Sequence, residues 1–122
     1  QAMFGEPLFA ISSRVRAGLP QVFAEAVATF GLLAVIFLSR RGVAEVAAGV
    51  GAYIAAAYWF TSSTSFANPV VTLARSLTDT FTGIRPADVP GFLVGQALGA
   101  AAFVVVTRWL VPVRASSEKE GP

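Results

Sequence analysis

The sequence predicts an all-α membrane protein with three transmembrane helices and one re-entrant half-helix, and three observations lead there. The 122 residues are 55% hydrophobic and 13% charged, with a mean hydropathy of +0.67. Three stretches, 17–39, 46–74 and 89–107, contain a single charged residue, Glu25. Each is near or above the roughly 20 apolar residues that a helix needs to cross a bilayer. The third observation is a short segment, opened by asparagine and proline, between the last two spans. A soluble domain, a disordered chain and a nucleic-acid binder are excluded.

The residue types that the sequence lacks exclude most kinds of catalytic and metal-binding site. The chain has no cysteine and no histidine, which removes disulfides, thiolate metal sites and the commonest general base. Its seven carboxylates are scattered, and no glycine-rich phosphate loop occurs. We therefore expect no enzymatic activity, no cofactor and no metal site, and no nucleic acid among its partners.

The first two spans follow from proline and basic residues. Residues 1–19 form a connecting segment, and Pro20 suits the start of a first helix over about 20–38. The short turn at Arg40 and Arg41 then makes a second helix, over about 43–60, run back antiparallel.

Glycine marks the third span, over about 90–111. Gly91, Gly95 and Gly99 recur at a spacing of four, which allows a neighbouring helix to approach closely in lipid. The alanine-rich second span is the expected neighbour.

A short helix is predicted between the second and third spans. Asn68 is a good N-cap, and Pro69 suits the first helical position. A helix over about 69–77 rises some 14 Å, about half the hydrocarbon core. It is too apolar for a surface loop and too short to cross, so we expect a re-entrant half-helix packed within protein or beside water.

Basic residues predict the orientation. Arg40 and Arg41 share one side with Arg108, Arg114 and Lys119, and that side should be cytoplasmic. The half-helix then enters from outside, residues 1–19 lie outside, and residues 113–122 form a cytoplasmic tail of a multi-pass protein of the cell (inner) membrane. The chain begins without an initiator methionine, so we expect it to be a piece of a longer protein.

Three motifs together resemble one half of an aquaporin, of the major intrinsic protein family. They are Glu25-Ala26-Val27-Ala28-Thr29-Phe30, Asn68-Pro69-Val70 and Gly95-Gln96-Ala97-Leu98-Gly99-Ala100. The resemblance covers residues 20–112. It implies one of two inverted halves, each with three spans and an Asn-Pro-Ala half-helix, in a tetramer with a pore per subunit. The basic turn favours the second half, although the run from Asn68 to Thr72 also echoes the first-half motif.

The expected pore element is Asn68, Pro69 and Val70, where Val70 replaces the usual alanine. A half-helix N-terminus presents unpaired N–H groups and about half a positive charge, which repels cations and favours hydrogen-bond acceptors. Glu25, an ionisable residue within a span, needs partners there. We expect its carboxyl to accept hydrogen bonds from backbone N–H groups of the re-entrant loop, a role that the family also uses.

The resemblance also locates a selectivity filter. Its arginine position falls on Val71 and its histidine position on Ala55 or Ala56, while Ser65 or Phe66 supplies the loop position. Small residues there predict a wide mouth and a channel that is not strictly water-selective. The local pattern most resembles bacterial aquaporins linked to arsenic resistance, which implies passage of neutral trivalent arsenic acid (arsenite), glycerol-like solutes and water.

Two interpretations of Arg75 stay open. Lying seven residues after Asn68, it either lines the outer vestibule or stabilises the C-terminal end of its own helix. Asp79, four residues on, would then be its ion-pair partner.

The sequence thus predicts half of a passive channel whose partners are the lipid bilayer and small neutral solutes, in a homotetramer of complete subunits. Two alternatives stay open. One is a non-conducting helix-packing module, and the other is a half-channel that works as a dimer or with a missing first half.

Overall fold

The fold is entirely helical in the residues that the computed structural model describes, which are Gly5, Pro7, 9–39 and 42–111. The helices are α1 (Leu19–Leu38), α2 (Val43–Phe60), α3 (Pro69–Arg75) and α4 (Val89–Leu110), and a 3-10 turn, Pro86–Asp88, leads into α4. α1, α2 and the stretch Pro86–Leu110 are long and apolar enough to cross a membrane. The predicted fold class is confirmed. The basic turn at residues 40 and 41 and the tail at 113–122 lie outside the described residues.

α1 and α4 form the closest helix pair, because α4 has glycine where the backbones meet. A Cβ atom on Gly95 would lie 2.5 Å from the carbonyl oxygen of Val22, and one on Gly99 would collide with the carbonyl oxygen of Ala26. The neighbour of these glycines is therefore α1, and not the alanine-rich second span that the sequence suggested.

α2 also packs against α1, and Tyr53 is its main large side chain in this contact. Tyr53 lies over Gly31 and donates a hydrogen bond from its hydroxyl to the carbonyl oxygen of Ala28, at 2.9 Å. In α2 itself, Ala57 is the one fully buried residue. Most of this helix therefore offers its small side chains outward.

α3 is shorter than the predicted 69–77 and packs against α4. It ends at Arg75 because the chain tightens there: the N–H groups of Ser76 and Leu77 bond to carbonyls only three residues back, each at 3.1 Å. Seven residues rise about 10 Å, which is well short of a bilayer core. A cluster of buried apolar side chains fixes α3 on α4 (Phe66, Ile84, Val89 and Phe92).

Residues 10–12 of the connecting segment lie across the C-terminal end of α3. The N–H groups of Ala10 and Ser12 bond to the carbonyls of Leu77 and Ser76, each at 3.0 Å. Further along, the N–H of Arg85 bonds to the carbonyl of Arg14 at 2.7 Å. The segment before α1 and the turns after α3 therefore form one layer at this end of the molecule.

Candidate functional site

Asn68 starts α3 by satisfying its first N–H groups. Its backbone is extended, and its side-chain oxygen accepts hydrogen bonds from the N–H groups of Val70 at 2.8 Å and Val71 at 3.3 Å. Pro69, which has no N–H to satisfy, occupies the first turn. The side chains of Asn68, Pro69 and Val70 are all exposed, so this end of the helix opens onto the surface of the half.

Glu25 holds the loop that precedes Asn68. Its side chain is fully buried, and its two oxygens accept hydrogen bonds from the N–H groups of Phe66 and Ala67, each at 2.9 Å. A carboxylate with several donors offsets the cost of burying its charge. The site therefore connects the middle of α1 to the residues next to Asn68.

Gln96 adds a second connection that sequence reasoning did not assign. From α4, its Nε2 donates to Glu25 at 2.7 Å and to the hydroxyl of Thr72 at 2.8 Å. The Thr72 hydroxyl in turn donates to the carbonyl of Asn68 at 2.9 Å. Gln96 lies in a stretch without charges, and a polar amide in such a stretch is the signal that could have identified it.

The loop between α2 and α3 has an unusual backbone. Thr64, Ser65 and Ala67 all have φ between 49° and 60°, a region that residues with a Cβ rarely adopt. Such conformations cost on the order of 1–3 kcal/mol each and persist where surrounding contacts impose them. The hydrogen bonds from Phe66 and Ala67 to Glu25 lie within this segment and supply such contacts.

The expected filter residues fall into two groups. Val71 is half-buried and packs against the cluster that contains Phe66, whose ring centroid lies 4.9 Å from that of Phe92. Phe66 and Ser65 are both buried, so their side chains point into this half. Ala55 and Ala56 are exposed on α2, which packs on α1 but not on α3 in the part of the chain described.

Arg75 lies over the ring of Phe66, with its guanidinium carbon 4.4 Å from the ring centroid. The expected ion pair with Asp79 is absent from the described residues. Asp79 accepts hydrogen bonds from the N–H and the hydroxyl of Ser13, at 2.9 and 3.0 Å, and these bonds lower the pKa of its carboxyl. The pairing prediction was wrong because the turn after α3 directs Asp79 to the connecting segment.

Arg16 is the second residue that the sequence did not identify. It is 8% exposed, and its guanidinium donates to three backbone carbonyls: Gly83 at 2.7 Å, Phe81 at 3.0 Å and Ser63 at 3.2 Å. It therefore joins the connecting segment to the loops on both sides of α3. The described residues contain no cluster of metal-ligating side chains.

Comparison with known proteins agrees with this arrangement. No protein-family model and no solved structure matches the chain significantly. Among curated proteins, the chain is 49% identical over 98% of its length to "Aquaglyceroporin AqpS" of Rhizobium meliloti (strain 1021). It spans about half, 52%, of that relative. The resemblance to the aquaporin family is thereby confirmed, and this chain is similar over nearly its whole length to one half of an aquaglyceroporin.

Proposed function

We propose that this chain is half of a passive channel for small neutral solutes: glycerol-like molecules and trivalent arsenic acid as well as water. The observation that carries the proposal is the seven-residue α3, too short to cross a membrane and capped by Asn68 at an exposed end. The similarity of the whole chain to a protein named an aquaglyceroporin supports the same function.

The start of α3 is suited to selecting neutral solutes. The partial positive charge at this end of the helix repels cations. The N–H groups of Val70 and Val71 are already bonded to the side-chain oxygen of Asn68, so they are not free to bind a solute. Because Asn68 caps the helix with its side-chain oxygen and is exposed, its amide nitrogen is the donor left for the hydroxyl oxygens of a solute. Glu25 holds this arrangement in place from behind, as a bracing residue rather than a proton carrier.

The mouth of the pore sets the size of the solute. Val71 lies at the position where water-selective relatives have arginine, and Ala55 or Ala56 lies where they have histidine. Small apolar side chains there leave a wider and less polar opening. Ser65 and Phe66 point inward, so their contribution to the opening comes from their backbone carbonyls.

The proposal includes the setting of the channel. Its partners are the lipid bilayer and the other half of the pore, in a homotetramer of complete subunits in the inner membrane. Apart from Glu45 in its first turn, the exposed surface of α2 carries no charge, which supports a location among other helices or lipid.

Val71→Arg tests the filter. In proteoliposomes made with the complete reading frame that encodes this chain, we expect glycerol permeability to fall at least about tenfold while water permeability changes little, because a guanidinium narrows the mouth. Stopped-flow light scattering measures both fluxes, and uptake of trivalent arsenic acid is measured in parallel.

Val71→Ile is the matched control and should retain the glycerol flux of the wild type. Unchanged glycerol flux in Val71→Arg would show that Val71 is not at the filter. Water flux without glycerol or arsenite flux in the wild type would overturn the solute assignment. No flux of any solute would favour a non-conducting helix-packing module.

A further inference from the structure

Two guanidinium groups share one aromatic ring at the outer end of α3. The guanidinium carbon of Arg75 lies 4.4 Å from the ring centroid of Phe66, and that of Arg16 lies 5.2 Å from it. Arg75 comes from α3 itself, whereas Arg16 comes from the segment before α1. The ring is 2% exposed, so both cations are held against a buried surface.

Arg16 is fixed more firmly than an ordinary surface arginine. All three of its nitrogens donate to carbonyls, and its own backbone N–H donates to Asp88 at 2.8 Å. The three carbonyls are 47 to 67 residues away in the chain. This geometry leaves the guanidinium a single position.

Neither guanidinium forms an ion pair within the described residues, although the buried carboxylate of Glu25 attracts both. The ion pair found there joins Arg85 to Asp88, at 2.8 Å, and Asp79 is held by Ser13. Nη1 of Arg75 is buried without a hydrogen-bond partner among these residues. Burial lowers the pKa of Arg16, and repulsion from Arg14 and Arg75 lowers it further.

The pair lies just beyond the proposed filter. Arg75 follows Val71 by four residues, which places it on the same face of α3 and about 6 Å further out. Buried charges act over longer distances than solvated ones, since little water screens them.

We propose that Arg16 and Arg75 supply the positive charge of the outer mouth and thereby exclude cations. Val71, at the filter position, is uncharged and cannot do so. This inference rests on the proposed function, and it names the specificity-determining residues of the same pore. Arg16 also packs on Phe66, so the same side chain supplies a charge and positions the filter loop.

The test removes charge without removing the channel. Arg75→Met keeps an apolar chain on Phe66 but no charge. Arg75→Lys keeps the charge, and Arg16→Lys keeps the charge with fewer hydrogen bonds. Arg108→Met, which removes a guanidinium from the C-terminal end of α4, is the matched control. Each variant of the complete reading frame is reconstituted in proteoliposomes, and glycerol flux and potential-driven K⁺ leak are measured on the same preparation.

We expect Arg75→Met to raise K⁺ leak by about 30-fold, because one charge about 8 Å from a cation in an effective dielectric of about 20 changes its local population by that factor. The two lysine variants and Arg108→Met should show the K⁺ leak of the wild type, and Arg108→Met should also retain its glycerol flux.

Each result decides the matter. Wild-type glycerol flux with no added leak in Arg75→Met overturns this inference alone. Equal leak in Arg75→Met and Arg75→Lys overturns it too, since packing rather than charge would then be responsible. Absence of glycerol flux in the wild type overturns the proposed function, and this inference with it.

Discussion

Glu25 shows how a single side chain makes a strained loop possible. Burying a carboxylate among apolar helices is costly unless donors surround it. Here two backbone N–H groups and the amide of Gln96 provide three donors, and two of them come from the loop with left-handed residues. The residue therefore stabilises both its own charge and the backbone that leads to Asn68.

Glu25→Gln should destabilise the protein by about 1–3 kcal/mol. The new amide has one acceptor oxygen, so its NH₂ group would face the N–H of Phe66 or Ala67 and leave a buried donor unpaired. The thermal unfolding midpoint in detergent measures the effect. Gln96→Leu is the comparison and should cost less, because the bonds between Glu25 and the loop remain. An unchanged midpoint in Glu25→Gln would contradict this account of the loop.

Residues of the site differ in how far sequence alone reveals them. Glu25 stands out because it is the one charge in a long apolar stretch, and Asn68 because asparagine before proline is a strong helix start. Arg16 lies in a polar segment with nothing unusual around it. Its role depends on three carbonyls from the two loops on either side of α3, and no local sequence pattern encodes these contacts.

At the scale of helices, the distance between α1 and α4 is set by glycine. At Gly95 and Gly99 the backbone of α1 occupies the space that a Cβ atom on α4 would need. Close approach increases dispersion contacts, which replace the hydrophobic effect as the source of helix association in lipid. The spacing of four predicted this contact surface, but the partner helix followed from tertiary packing alone.

Gly99→Ala should separate α1 from α4 and destabilise the protein by about 1–3 kcal/mol, because the added methyl meets the backbone of Ala26, which has little room to move. Gly51→Ala is the matched control. Gly51 has open space around its Cβ position, so alanine there should be neutral or stabilising by up to about 1 kcal/mol. Equal unfolding midpoints for the two variants would show that the helices are not limited by this contact.

The ends of α3 show the limits of sequence patterns at the same scale. Its start was predictable, because the cap and the proline are local signals. Its end two residues before the predicted one depends on a tightened turn at Ser76 and Leu77, whose carbonyls pair with the connecting segment. Because these partners are distant in sequence, the sequence of α3 itself contains no signal for where the helix ends.

Over the whole molecule, the connecting segment and the turns around α3 are joined by a few polar contacts. Asp79 is one of them, since it accepts two hydrogen bonds from Ser13. These bonds lower the pKa of its carboxyl, so their stabilisation is complete above the ordinary aspartate value of about 3.9. It is lost as the pH falls through the lower value in the folded protein.

Hydrogen exchange of the Ser13 amide should follow that dependence. We expect a constant protection factor between about pH 5 and pH 8, and loss of protection only below about pH 4. Asp79→Asn should lower the protection at neutral pH, because the acceptor loses its charge. Ser13→Ala removes the hydroxyl bond but retains the N–H, and should have the smaller effect. Loss of protection already at pH 6 would exclude Asp79 as the residue responsible.

Glu25 is synthesised long before any of its donors. The backbone N–H groups that it binds belong to residues 41 and 42 positions later, and the amide of Gln96 comes 71 positions later. While the ribosome is still producing α2, the nascent first helix carries a carboxyl for which lipid offers nothing. We therefore expect α1 to keep its carboxyl without these partners until α3 and α4 have been translated.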